Sequence, residues 1–168
     1  MKRLYTHLSE THLDGACLLF EKKNPVIAMT LRYDRLDNFW FVLMHELAHL
    51  ILHVNQETCL EFFDDLDSEQ DGLEEEADKY ALDALISDDR WAKSLSRFIC
   101  TASAIKKEAH SWGISPAIIA GRIRHETGKY TLFNELIGNG AVRKHFIGQH
   151  LLMVHCLKMM RWRMEAAQ

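Results

Sequence analysis

Apolar positions along the 168-residue chain change spacing near residue 38, from short strand-like runs to helical stripes. Ala16–Phe20 and Pro25–Leu31 are compact apolar runs joined by Glu-Lys-Lys-Asn, which predicts a β-hairpin. Leu4–Leu8 has the composition of a third strand. From Phe41 to His53 the pattern is apolar on most sides, with no Gly or Pro, over a stretch longer than a strand usually runs. A buried helix is predicted there, with Asp37 or Asn38 as its N-cap. Leu73, Ala77, Ala81, Leu82, Leu85 and Ile86 form a second helical stripe. Further helices are predicted over 91–99 and 101–112. Gly113 ends the latter, and Ser115-Pro116 supplies an N-cap and N1 pair that starts another helix, running to Glu126. The apolar, Met-rich and basic tail, 145–168, is expected to form a terminal helix packed on the same domain. Its methionines would equally suit a partner groove or a second copy of the chain.

The alternation of strand-like and helical blocks, with helices dominant, predicts an α+β fold: a small antiparallel sheet packed on a helical bundle. At this length one domain with one good core is expected. Cys17, Cys59, Cys100 and Cys156 are widely spaced, with no C-x-x-C, so neither a zinc ribbon nor a redox pair is indicated. The N-terminus begins basic but reaches no apolar segment of signal-peptide type. No run approaches the ~20 apolar residues of a membrane span. A cytoplasmic protein is the expectation.

Charge is unevenly placed. Residues 57–78 hold eleven acids and no Lys or Arg, leaving 13 acids against 20 bases elsewhere. A solvated acidic loop accounts for this block. Bordering a cleft, the same block would favour basic substrate segments.

The chemistry centres on His45-Glu46-Leu-Ala-His49. Two histidines four apart on a helix lie about 40° apart in azimuth and one turn apart in height, so both rings can meet one metal ion. Glu46 between them can act as general base toward a water. A glutamate buried beside two histidines is costly unless something neutralises it. The competing account is an amphipathic helix whose histidines are merely packed, and a third ligand decides between them. His53 is excluded, because it lies roughly 12 Å in rise from His45 along an α-helix. Glu74 and Asp78, four apart and adjacent to the second apolar stripe, suit the task better. The first would bind Zn²⁺ and the second would accept the N–H of a zinc histidine. Glu76 is the competing third ligand, whereas Glu75 is placed to pair with Lys79 at the surface.

Several separated blocks together resemble the ImmA/IrrE-type zinc metallopeptidases, closest to the branch often fused behind a helix-turn-helix domain in antitoxin-like regulators. They are Leu13-Asp-Gly-Ala16, Pro25-Val-Ile27, Leu31 to Phe41, His45 to His49, Glu74-x-x-Ala-Asp-x-x-Ala81 and Ile114 to Arg122, covering roughly residues 12–125. The resemblance implies Zn²⁺ held by His45, His49 and Glu74, with Glu46 as the catalytic base and Asp78 orienting a ligand from behind. It implies a zincin-like fold and a gluzincin-type endopeptidase whose protein substrate is a DNA-binding repressor. A helix-turn-helix domain, fused or separate, is the implied companion.

Other functions compete. Ala109, Gly113 and Ile119 have the spacing of a DNA-reading helix-turn-helix, with Arg122, Arg124, His125 and Lys129 nearby. The N-terminal part of the would-be reading helix, Pro116-Ala-Ile-Ile-Ala, has nothing to hydrogen-bond a base edge. Tight packing of two helices is therefore favoured over direct nucleic-acid binding. The site can also be structural, in a non-proteolytic interaction module of a toxin–antitoxin or regulatory system. Tyr33, Arg35, Tyr80 and His125 are weaker candidates to steady a developing oxyanion.

Overall fold

The computed structural model describes residues 14–20, 24–53, 69–146 and 151–155. The hairpin forms as expected, from β1 (Gly15–Phe20) and β2 (Asn24–Thr30), antiparallel with Cys17 opposite Ile27. Strand β3 (Leu151–His155) pairs antiparallel with the other edge of β2, so the sheet order is β1-β2-β3. Over these five residues a strand stands where the sequence predicted part of a helical tail over 145–168. A five-residue apolar run is too short for its period to separate strand from helix, and the open edge of β2 offers it ladder hydrogen bonds. Arg143–Phe146 before it is a 3₁₀ turn. The strand expected at Leu4–Leu8, the remainder of the tail and residues 57–68 of the acidic block lie outside the described residues.

Helix α1 (Leu36–Ala48) begins earlier than expected, with Arg35 in the N-cap position and no side-chain cap. The carbonyl of Ile137 takes that place, accepting from Leu36 N–H at 3.0 Å and Asp37 N–H at 3.4 Å. Asp37 instead sits buried in the first turn, where its carboxylate accepts two hydrogen bonds from Arg35. Past Ala48 the helix widens into a π-helical turn, His49–His53.

Helix α2 (Glu69–Leu85) packs along α1. Residues 91–99, expected as one helix, divide between α3 (Asp88–Ala92) and α4 (Leu95–Ile99). The break is stabilised from outside. Glu108, on α5 (Ala102–Trp112), accepts from Ser94 Oγ and from the amides of Leu95 and Ser96 at the start of α4. Ser115 caps α6 (Pro116–Thr127) as predicted, accepting from Ala117 N–H.

Two apolar clusters flank α1. Ile27, Met29 and Leu50 join Cys17, Phe39, Val42, Leu43 and Leu47 between sheet and helix. Ile86, Trp91, Ile105, Ala109, Ile119, Ala120, Ile123 and Ile137 form the second, among the ends of α2, α3, α5 and α6. The α5–turn–α6 unit thus buries Ala109 and Ile119 in the core, with Gly113 exposed in the turn. Gly121 lets α6 approach α1, since a Cβ there would stand 2.9 Å from Asp37 Cβ. No helix among the described residues is long and apolar enough to cross a membrane.

Candidate metal centre

Ala77 and Ala81 on α2 and Ala48 on α1 are fully buried. Side chains this small let two helices come close, so longer residues beside them can meet across the seam. His45 and His49 project from α1 and its π-helical extension, and Glu74 projects from α2. The two Nε2 atoms are 2.9 Å apart. The Glu74 carboxylate stands 3.0 Å from His45 Nε2 and 3.3 Å from His49 Nε2. One donor atom from each residue falls within a 4.8 Å group, within reach of a single ion with bonds near 2 Å.

The rear of each ring supports the same use. Asp78 Oδ1 lies 2.8 Å from His45 Nδ1. A carboxylate there places the ring proton on Nδ1 and leaves the Nε2 lone pair facing Glu74 and His49. His49 Nδ1 lies 3.0 Å from His53 Nδ1, and His53 Nε2 is 3.2 Å from Glu76 Oε2. His53 and Glu76 therefore stand behind the three donors, not among them.

Burial, the two neighbouring histidines and the carboxylates give these groups distinct acidities. His45 resists charging because it is buried, but the Asp78 hydrogen bond and the charges of Glu74, Asp78 and Glu46 outweigh that and raise its pKa. For His49 burial prevails over Glu74, with His45 and His53 adding to it, and the pKa falls. Glu46 is only 7% exposed. Burial first, and the charge of Glu74 second, push its carboxyl up to about 7 against the opposing pull of His45 and a hydrogen bond with Cys17.

Gly15 explains how a sheet can cover that carboxylate. A Cβ on Gly15 would lie 2.6 Å from Glu46 Oε1 and 2.8 Å from both Glu46 Cγ and Val42 Cγ1. The strand backbone passes directly over this carboxylate, and only glycine leaves room for it.

Other expected residues fall elsewhere. Arg35 is engaged by Asp37, and both Arg32 and Arg35 lie over the Tyr33 ring. The His125 ring packs against Phe41, with Nε2 3.9 Å from Asp78 Oδ2, which places it behind His45. Arg122 and Arg124 are buried. The first bonds the carbonyls of Leu82 and Ile86 and the Asp88 carboxylate, the second Asn134 and the carbonyl of Tyr130.

Sequence reasoning weighed His53 and Glu76 only as metal ligands, and missed both their pairing behind His49 and the approach of Gly15 to Glu46. The need of a metal-binding histidine for an acceptor at its outer nitrogen was the available signal for His53. Nothing local to Gly15 announces that a helix residue will reach it.

A family model described as the IrrE N-terminal-like domain matches residues 4–124. Searches of curated proteins and of solved structures return no significant match. The matched span contains both halves of the site, the His45–His49 turn pair and the Glu74–Asp78 pair, in the order and spacing that bring them together. With this match spanning most of the chain, the protein belongs to the IrrE N-terminal-like family of zinc-peptidase-like domains.

Proposed function

We propose that the protein is a zinc-dependent endopeptidase of the gluzincin type, acting on a helix-turn-helix repressor or a related regulatory protein. The observation that carries this is the convergence of His45, His49 and Glu74 beside a buried, non-converging carboxylate, Glu46. His45, His49 and Glu74 would hold the ion. When bound, Zn²⁺ supplies Lewis acidity, bringing the pKa of water to near 7 and polarising a carbonyl.

Glu46 takes the proton of the attacking water and returns it to the leaving amine. Its cover by β1 limits the access of bulk solvent to that carboxylate. Asp78 fixes the His45 ring. β1 lies at the edge of the sheet among the described residues and runs over Glu46. An extended substrate segment added to that edge would pass beside the base. Glu74, Glu75 and Glu76 on α2 are exposed, and the whole block 57–78 is acidic. Basic segments of a DNA-binding protein complement that charge. An interaction module with a purely structural zinc would close its site with a fourth protein ligand; among the described residues three converge.

The test is incubation of zinc-loaded protein with regulators encoded beside its gene. Wild type is expected to cleave one of them. Glu46→Gln is expected to keep stoichiometric zinc and lose cleavage, and His49→Ala to lose both. Purified wild type without stoichiometric zinc, or a Glu46→Gln variant that cleaves normally, would overturn the proposal.

A further inference from the structure

We infer that His53 is a positioning residue of the metal centre: it accepts the outer N–H of His49 and is itself held by Glu76. The inference rests on the metal-binding part of the proposed function and is independent of peptide cleavage.

The two ligand histidines are supported differently. His45 meets a carboxylate at its outer nitrogen, whereas His49 meets another histidine at 3.0 Å. Proton placement along this second arm has one consistent solution. For His49 to offer its Nε2 lone pair, its proton must reside on Nδ1, which then donates to His53 Nδ1. His53 must in turn carry its proton on Nε2, and that atom faces the Glu76 carboxylate, 3.2 Å away. Every contact then has one donor and one acceptor. The reverse assignment places the His49 proton among the converging donor atoms and sets a bare His53 Nε2 lone pair against a carboxylate.

Burial gives the arrangement force. The His53 side chain is only 5% exposed, so water has little access to replace the acceptor that His49 would lose. The backbone is adapted to the contact, because the π-helical turn begins at His49 and ends at His53. Such turns are rare and cluster at functional sites. The two ring centroids are 5.1 Å apart, with planes crossing at 60°. Charge explains the use of a neutral ring. Glu46, Glu74 and Asp78 already crowd the site, and interposing His53 holds the Glu76 charge one ring farther away. Glu76 is 61% exposed, so its hold is the weaker link.

Zinc affinity measured by chelator competition at one fixed pH tests this, with ¹⁵N NMR of the histidines in zinc-loaded wild type. His53→Phe, which keeps a ring but no acceptor, is expected to bind zinc about 10–100-fold more weakly. His53→Asn, whose amide oxygen can accept, should recover most of that loss, and Glu76→Gln should lose only a few-fold. NMR should show His49 protonated at Nδ1 and His53 at Nε2. Wild-type affinity in a folded His53→Phe variant, or a His53 proton on Nδ1, would overturn the inference. Both results leave the three-ligand site standing. Absence of zinc binding by wild type would sink the site and the inference together. The NMR assignment needs no variant to fold.

Discussion

A carboxyl group sealed under a strand holds its proton far more tightly than one in water, and Glu46 is in that position. Its folded pKa, about 7, lies above the ordinary 4.5, with burial as the main cause. An acid shifted upward stabilises the fold fully below its unfolded value, and that contribution is lost as the pH rises through the folded one. For metal-stripped protein the loss therefore runs from about pH 4.5 to about pH 7. It amounts to at most about 3 kcal/mol. Gln at position 46 carries no charge to bury. In the presence of chelator, Glu46→Gln is expected to exceed wild type in stability at pH 8 by on the order of 2–3 kcal/mol and by little near pH 4.5. Denaturant unfolding at both pH values checks this, and a pH-independent difference would refute it. The residue that makes the centre a candidate catalyst is thus expected to weaken the fold that carries it.

Among the elements, α2 has two different ends to satisfy. Its N-terminal half presents Glu74 and Asp78 to α1, and at its C-terminal end the Leu82 carbonyl accepts from Ile86 N–H while the Ile86 carbonyl needs a donor from outside the helix. Arg122, from α6, reaches the carbonyls of Leu82 and Ile86 and also the Asp88 carboxylate. Its guanidinium lies over the Trp91 ring at 5.0 Å. Read along the chain, Arg122 is one of a basic group late in a would-be DNA-reading helix. In the fold it is a cap for another helix. Arg122→Met is expected to destabilise the protein by roughly 2–4 kcal/mol, because it strands the Ile86 carbonyl as well as removing a charge. Lys should not restore the loss, having no planar fork. Unfolding measurements on both variants decide it, and a cost under about 1 kcal/mol would mean that water satisfies that carbonyl.

Across the molecule, the candidate centre joins two structural blocks. His45 and His49 lie on the helix packed against the sheet, and Glu74 lies on the helix whose end enters the larger apolar cluster. A ligand that binds only the folded arrangement stabilises it by mass action, about 2.7 kcal/mol at a hundred times its Kd. Zinc is therefore expected to raise the unfolding temperature by roughly 5–10 °C, given about 2–4 °C per kcal/mol at this size. Chelator should reverse the shift, and Glu74→Gln should largely abolish it. Equal zinc stabilisation of Glu74→Gln and wild type would place the third ligand elsewhere.

Local patterning alone determined the hairpin, the buried helix with His45, Glu46 and His49 on it, the Ser115-Pro116 helix start and the pairing of Glu74 with Asp78. Each of these depends on residues within one or two turns of each other, where spacing translates directly into position on a strand or helix face. Tertiary structure decided what depends on distant partners. The carbonyl of Ile137 moved the start of α1, Glu108 divided a helix in two, and the edge of β2 drew Leu151–His155 into the sheet. The same holds inside the site. The choice between Glu74 and Glu76 is a choice of which carboxylate faces His45 across the alanine seam and which faces His53. Neighbouring glutamates on a helix differ only in azimuth, and azimuth acquires meaning when a second helix packs alongside.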